Sequence, residues 1–65
     1  MTLRELRLKN NFSQKEISKK LNIKQNTYSQ YENGIRQPNI QLLPNLASCL
    51  NCSIEETVIA IINSN

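Results

Sequence analysis

Five uncharged side chains bearing amide or hydroxyl groups lie between residues 25 and 33: Gln25, Asn26, Ser29, Gln30 and Asn33. At about 100° per residue they fall within one arc of roughly 140° on a helix, with Thr27, Tyr28 and Tyr31 on the other side. An ordinary solvated helix face is built from Lys and Glu, which supply solubility and i,i+4 pairs. A face of paired amide donors and acceptors suits a different task. Gln and Asn bond bidentately to adenine N6 and N7, and Ser bonds to several base edges. Gln25, Asn26, Ser29 and Gln30 are therefore candidate base-reading residues.

Such a face needs elements that hold it outward, and the flanking sequence supplies them. Ser13-Gln14-Lys15-Glu16 is a capping box, with Phe12 and Ile17 placed as a hydrophobic staple. It opens a helix over Gln14–Leu21 that buries Ile17 and Leu21. Asn22 tolerates the left-handed conformation better than most residues, so Leu21-Asn22-Ile23 predicts a three-residue turn. The next helix runs from about Lys24 to Asn33 and stops at Gly34, the residue best suited to a helix C′ position. Two short helices joined by such a turn make a helix-turn-helix over about residues 13–33.

The rest of the chain reads as three further helices. Thr2–Asn10 carries Leu3 and Leu6 on one face with Arg7 beside them, and ends at turn-prone Asn10-Asn11. Asn39 is placed to cap a fourth helix bearing Leu42, Leu43, Leu46, Ala47 and Leu50. Pro44 disfavours helical geometry at Leu43, so regular helix is expected to begin nearer Leu43 than Ile40. Ser53 and Glu56 form a second box opening a fifth helix over about 54–63. Ile54, Val58, Ile61 and Ile62 are expected to share its apolar face, with Ile59 offset. That arc is wider than a small core needs, so Ile59 and part of Ile62 are expected in a dimer interface. Asn63-Ser64-Asn65 is expected to be a frayed tail. No strand signal and no repeat occurs, and the 65 residues predict one all-α domain.

Charge supports a polyanionic partner. All eight basic residues lie between Arg4 and Arg36; with Glu5, Glu16 and Glu32 they give residues 1–36 a charge of +5. Residues 37–65 carry only Glu55 and Glu56, or −2. The basic half holds the helix-turn-helix. No apolar run reaches the roughly 18–20 residues of a membrane span, and a signal-peptide pattern is lacking, so a cytoplasmic protein is expected. Without His or Asp, a Gly-rich phosphate loop or a ligand cluster, the chain gives no basis for an enzyme or a cofactor. Cys49-Leu50-Asn51-Cys52 is a CxxC, but one pair without His cannot close a four-ligand zinc site. A redox role calls for a βαβ setting. The two thiols are expected to be reduced, buried hydrophobes, and no metal is expected.

Several pieces together resemble the lambda-repressor-like DNA-binding domains, the Cro/cI or Xre type of phage and bacterial regulator. They are Leu3-x-x-Leu6-Arg7, Phe12-Ser13-Gln14-x-x-Ile17, Leu21-x-Ile23, Thr27-Tyr28-x-x-Tyr31-Glu32-Asn33-Gly34, Pro38 and Leu43-x-x-Leu46-Ala47-x-x-Leu50. The resemblance spans nearly the whole chain. It implies a compact five-helix bundle whose third helix enters the major groove. It implies that Gln25, Asn26 and Gln30 read bases, that Ser29 reaches DNA, that Gln14 holds a backbone phosphate, and that Asn33 and Arg36 grip phosphate after helix 3. It also implies a buried ion pair between Arg7 and Glu32. Three positions depart from the family pattern: Ser18 replaces Ala, Asn22 replaces the turn Gly, and Lys24 replaces a Ser or Thr cap. Lys24 offers a charge to phosphate instead.

The function expected is a sequence-specific, double-stranded DNA-binding transcriptional regulator, a repressor acting as a homodimer on a pseudo-palindromic operator. Two alternatives keep the fold: an antitoxin-like protein-interaction module, motivated by the apolar arc of helix 5, and the DNA-binding domain of a longer sensor-regulator. The opening Met is expected to be the natural N-terminus, while the Asn-Ser-Asn end is compatible with a linker.

Overall fold

The computed structural model describes all residues 1–65. Five α-helices follow in order: α1 Leu3–Lys9, α2 Gln14–Leu21, α3 Gln25–Glu32, α4 Leu43–Cys49 and α5 Ile54–Asn63. A single 3-10 turn, Ile40–Leu42, precedes α4, and there are no strands.

Side-chain caps start most of these elements. Ser13 Oγ accepts the Glu16 N–H at 3.0 Å, and Glu16 Oε1 accepts the Ser13 N–H at 2.9 Å. Ser53 and Glu56 repeat the arrangement at α5. Thr2 and Glu5 form a third box at α1, one not expected from the sequence although Thr-x-x-Glu is the same signal. Asn39 Oδ1 accepts the Leu42 N–H at 3.0 Å and so caps the 3-10 turn. Regular helix begins at Leu43, with Pro44 in its first turn, where a missing N–H costs no intrahelical bond.

The first four helices all end the same way. A residue with positive φ follows each: Asn11 (61°), Asn22 (56°), Gly34 (71°) and Asn51 (54°). The next N–H then returns to a carbonyl five residues back: Phe12 to Arg7, Ile23 to Ser18, Ile35 to Gln30, Cys52 to Ala47, at 3.0–3.2 Å. This is the Schellman closure. It turns the chain sharply enough for 7–8-residue helices to pack around a common centre.

That centre is formed by Leu3 and Leu6 of α1, Ile17 and Leu21 of α2, Tyr28 and Tyr31 of α3, Leu46 and Leu50 with α4, and Ala60 of α5. Phe12, Ile23, Leu42 and Ile61 pack against its rim. The two tyrosine rings meet edge to face, 6.4 Å between centroids, a favoured geometry for the ring quadrupoles. Ser18 is buried between α2 and its neighbours and donates its hydroxyl to the Lys15 carbonyl at 2.9 Å.

Helix α5 corrects the sequence reading. Its buried residues are Thr57 and Ala60, with Ile61 at the edge, whereas Ile54, Val58, Ile59 and Ile62 are 37–62% exposed. The inward face is rotated by about a quarter turn from the isoleucine face. Ala60 is small enough to let α5 approach α1 and α4 closely. Thr57 is inexpensive to bury because its hydroxyl donates to the Ser53 carbonyl at 3.0 Å and lies 3.2 Å from Cys52 Sγ.

The C-terminus differs from expectation as well. Ser64 Oγ accepts the Leu3 N–H at 3.1 Å and donates to the Ala60 carbonyl at 2.7 Å. Asn63 Nδ2 donates to the Met1 carbonyl at 3.3 Å. The expected frayed tail is thus fastened to the start of α1. Both cysteines are free and half-buried rather than fully buried.

Candidate nucleic-acid interface

Helix α3 is fixed from below by what it buries. Tyr28, Tyr31 and Glu32 are its interior residues. Gln25 and Asn26 are exposed, as is Asn33 just past the helix end, and Ser29 and Gln30 are partly exposed. The structure therefore gathers all five on the outer side of α3. Asn33 Nδ2 lies 3.5 Å from Ser29 Oγ, one turn back along that face. Lys24, the residue before α3, is exposed, and its side chain, a donor with no acceptor atom, makes no cap bond. Arg36 is exposed on the loop beyond α3, where the Ile35 and Arg36 N–H groups both return to the Gln30 carbonyl at 3.0 and 3.3 Å.

Glu32 sets how α1, α2 and α3 meet. Its carboxylate is fully enclosed and accepts Arg7 Nε at 2.6 Å and Arg7 Nη2 at 3.3 Å, a two-point pairing. Arg7 Nη1 also donates to the Phe12 carbonyl at 2.9 Å. Gln14 Nε2 donates to Glu32 Oε1 at 3.0 Å. The candidate phosphate ligand of α2 is thereby held against the ion pair, with its second amide proton and its carbonyl oxygen left over. The backbone N–H groups of Gln14 and Lys15, at the start of α2, have no acceptor within the chain.

Burial alone would raise the Glu32 pKa. Hydrogen bonds from Arg7 and Gln14, with the Arg7 charge and the nearby Tyr28 hydroxyl, outweigh it and hold the carboxyl below the usual glutamate range. The pairing with Glu32 in turn raises the Arg7 guanidinium. Burial, and then the nearby Glu32 carboxylate, push the Tyr28 phenol far above its ordinary value. The Tyr28 hydroxyl itself is buried with no partner in hydrogen-bonding geometry.

Arg4 was missed by the sequence reading. Its Nε lies 3.6 Å from Glu32 Oε1. The signal was its position one helical turn before Arg7, on the same side of α1. Around α2, Lys15, Lys19 and Lys20 are exposed, and Lys20 Nζ sits 5.2 Å from the centre of the Phe12 ring. Ile59 and Ile62, the expected dimer residues, are exposed on α5, a helix that packs mainly on α4 and α1. No three Cys, Asp or Glu side chains converge at a point where a metal would sit. No single helix is long and apolar enough to cross a membrane.

A family model described as "Helix-turn-helix", of the Cro/C1 type, matches residues 3–57. No curated protein and no solved structure matches the chain. The matched span runs from the first residue of α1 into the first turn of α5, and so includes both helices of the motif and the Arg7–Glu32 contact that joins them. The chain belongs to the Cro/C1-type helix-turn-helix family and is a lambda-repressor-like DNA-binding regulator domain.

Proposed function

We propose that this protein is a sequence-specific transcriptional repressor that binds a pseudo-palindromic operator in double-stranded DNA as a homodimer. The observation carrying this reading is the outer face of α3. Gln25, Asn26, Ser29 and Gln30 form an uncharged, hydrogen-bonding surface on a helix whose other side is locked by Tyr28, Tyr31 and Glu32. Nothing in the packing of the chain requires such a face. In the major groove, Gln25, Asn26 and Gln30 read base edges, while Gln14, Lys24, Asn33 and Arg36 position the domain on phosphates.

The dimer reading is supported by α5. Four large apolar side chains, Ile54, Val58, Ile59 and Ile62, stand exposed together on one helix, a contiguous stripe of the kind that marks an interface. Two copies joined there would present two recognition helices to half-sites about one helical turn, ~10 bp, apart. The stripe also favours a second reading, an antitoxin-like module whose chief ligand is another protein. Recovery of one stoichiometric protein with the chain from its native host supports that alternative.

Selection of bound sites from random-sequence duplexes tests the leading proposal, because it yields the operator, its symmetry and the half-site spacing together. Gln25→Ala is expected to relax preference at one base position, at about 1–3 kcal/mol, with little change on random DNA. Equal loss on selected and random duplexes contradicts the base-reading role. For the dimer, Ile59→Asp is expected to yield monomers in sedimentation at high micromolar concentration. A wild type that stays monomeric there and on the selected duplex refutes the dimer.

A further inference from the structure

We propose that Arg4 is an additional phosphate-contacting residue, parked on Glu32 beside Gln14 in the free protein; this inference rests on the DNA-binding reading given above. Glu32 Oε1 is approached by three donors: Gln14 Nε2 at 3.0 Å, Arg7 Nη2 at 3.3 Å and Arg4 Nε at 3.6 Å. Arg7 already holds the other oxygen at 2.6 Å, so Arg7 and Glu32 neutralise each other as an enclosed pair. The charge on Arg4 is then the one left over. Its approach to the carboxylate is the longest of the three, and its side chain remains 58% exposed while that of Glu32 is fully enclosed.

A guanidinium in that position has donors to spare. It carries five N–H groups in a planar fork suited to phosphate oxygens, and its contact with the carboxylate, from Nε, is 3.6 Å long. Glu32 thus acts as a positioning residue twice over. It pins the Gln14 amide, and it keeps Arg4 beside that amide without using up the Arg4 charge. A long side chain ordered before binding loses less rotamer freedom when it meets its ligand. A phosphate next to the start of α2 then receives one uncharged donor from Gln14 and one cationic donor from Arg4. The two residues differ in kind: Gln14 adds affinity without releasing a counterion, whereas Arg4 adds both.

That difference supplies the test. Binding of the full chain is measured by fluorescence anisotropy across a range of salt concentrations, on a selected duplex and on a random duplex of equal length. Arg4→Gln is expected to weaken binding to both duplexes by a similar factor, about 3- to 10-fold. It is expected to flatten the slope of log K against log salt by about 0.9 for each phosphate that is no longer neutralised. Arg4→Lys is expected to restore most of the slope, because the charge returns. Gln14→Ala is expected to weaken binding with the wild-type slope. The thermal midpoint of Arg4→Gln is expected to stay near wild type, since Arg4 is itself mostly exposed and stands 3.6 Å from a carboxylate that Arg7 already pairs at 2.6 Å. A wild-type slope in Arg4→Gln overturns the inference, whether or not the midpoint falls. A wild type that binds neither duplex overturns the DNA-binding reading and this inference with it.

Discussion

Replacing Glu32 by Ala tests how much of the fold rests on one enclosed carboxylate. The substitution leaves the Arg7 guanidinium in place with its side chain only 10% exposed. Of its acceptors only the Phe12 carbonyl remains, at 2.9 Å. Gln14 loses its partner at the same time. Removing one member of a buried ion pair costs roughly 3–5 kcal/mol, because the other charge is stranded. A domain of this length has a total stability of about 3–10 kcal/mol, and each kcal/mol moves its midpoint by about 4–8 °C. Glu32→Ala is therefore expected to lower the thermal midpoint by at least ~12 °C and to leave much of the protein unfolded at about 37 °C. Glu16→Ala, which removes half of an exposed capping box, is expected to cost far less. Circular dichroism in the helical band during heating compares the two variants directly. Equal midpoints for both would refute the reasoning, since they would mean that the Arg7–Glu32 pair gives no more than a surface cap.

The same carboxylate sets an acid limit. Its folded-state pKa lies below the unfolded value. Its contribution is thus complete above the unfolded glutamate pKa of about 4.3 and is lost as pH falls through the folded value. Glu5 and Glu16, lowered by the backbone N–H groups they accept at Thr2 and Ser13, add in the same direction. Glu32→Gln is expected to be less stable than wild type at neutral pH and to show a shallower loss on acidification. An acid transition unchanged in depth would place the sensitive group elsewhere. Tyr28→Phe removes a buried hydroxyl that has no partner in hydrogen-bonding geometry, and such a removal is neutral or stabilising; a midpoint several degrees below wild type would show that the hydroxyl's approach to Glu32 matters. Gly34→Ala forces a Cβ to 2.7 Å from the Ser64 carbonyl oxygen and 2.8 Å from Asn65 Cα, at a φ of 71°. It is expected to cost about 1–3 kcal/mol by denaturant titration, and a neutral result would mean that the C-terminus yields freely. Asn22→Ala is expected to lose about 1 kcal/mol at its left-handed position, with Asn22→Gly at or above wild type; the reverse order in urea midpoints would contradict the turn assignment.

The features legible in the sequence were those decided locally. Ser13 with Glu16, Ser53 with Glu56, Asn39 and Pro44 fixed where elements begin, because a cap is a contact across three residues. The face of α3 was legible because its aromatic and polar residues separate cleanly at helical spacing. Helix α5 was not, because its isoleucines, valine and alanine spread around most of its circumference. Periodicity then carries little information, and the choice falls to packing, which preferred the small Ala60 and the hydrogen-bonded Thr57. Ser64 resembled a tail residue until α1 supplied the Leu3 N–H it accepts. For Gln14 and Arg4 the decisive partner is Glu32 on α3, many residues away in sequence. Such a meeting is a property of the fold; its one local trace is the place of Arg4 a helical turn before Arg7.

The seam between the two ends has a topological consequence. Met1 and Asn63 are joined by one hydrogen bond, Leu3 and Ser64 by another, and Asn65 rests against Gly34. The path of the backbone is thus nearly a closed ring with a single nick. A short peptide bridging that nick would turn the chain into a true circle. The circle could then be reopened at an exposed loop residue such as Gln37 without separating any pair of packed helices. The order in which the five helices are written along the chain is in that sense separable from the shape they build.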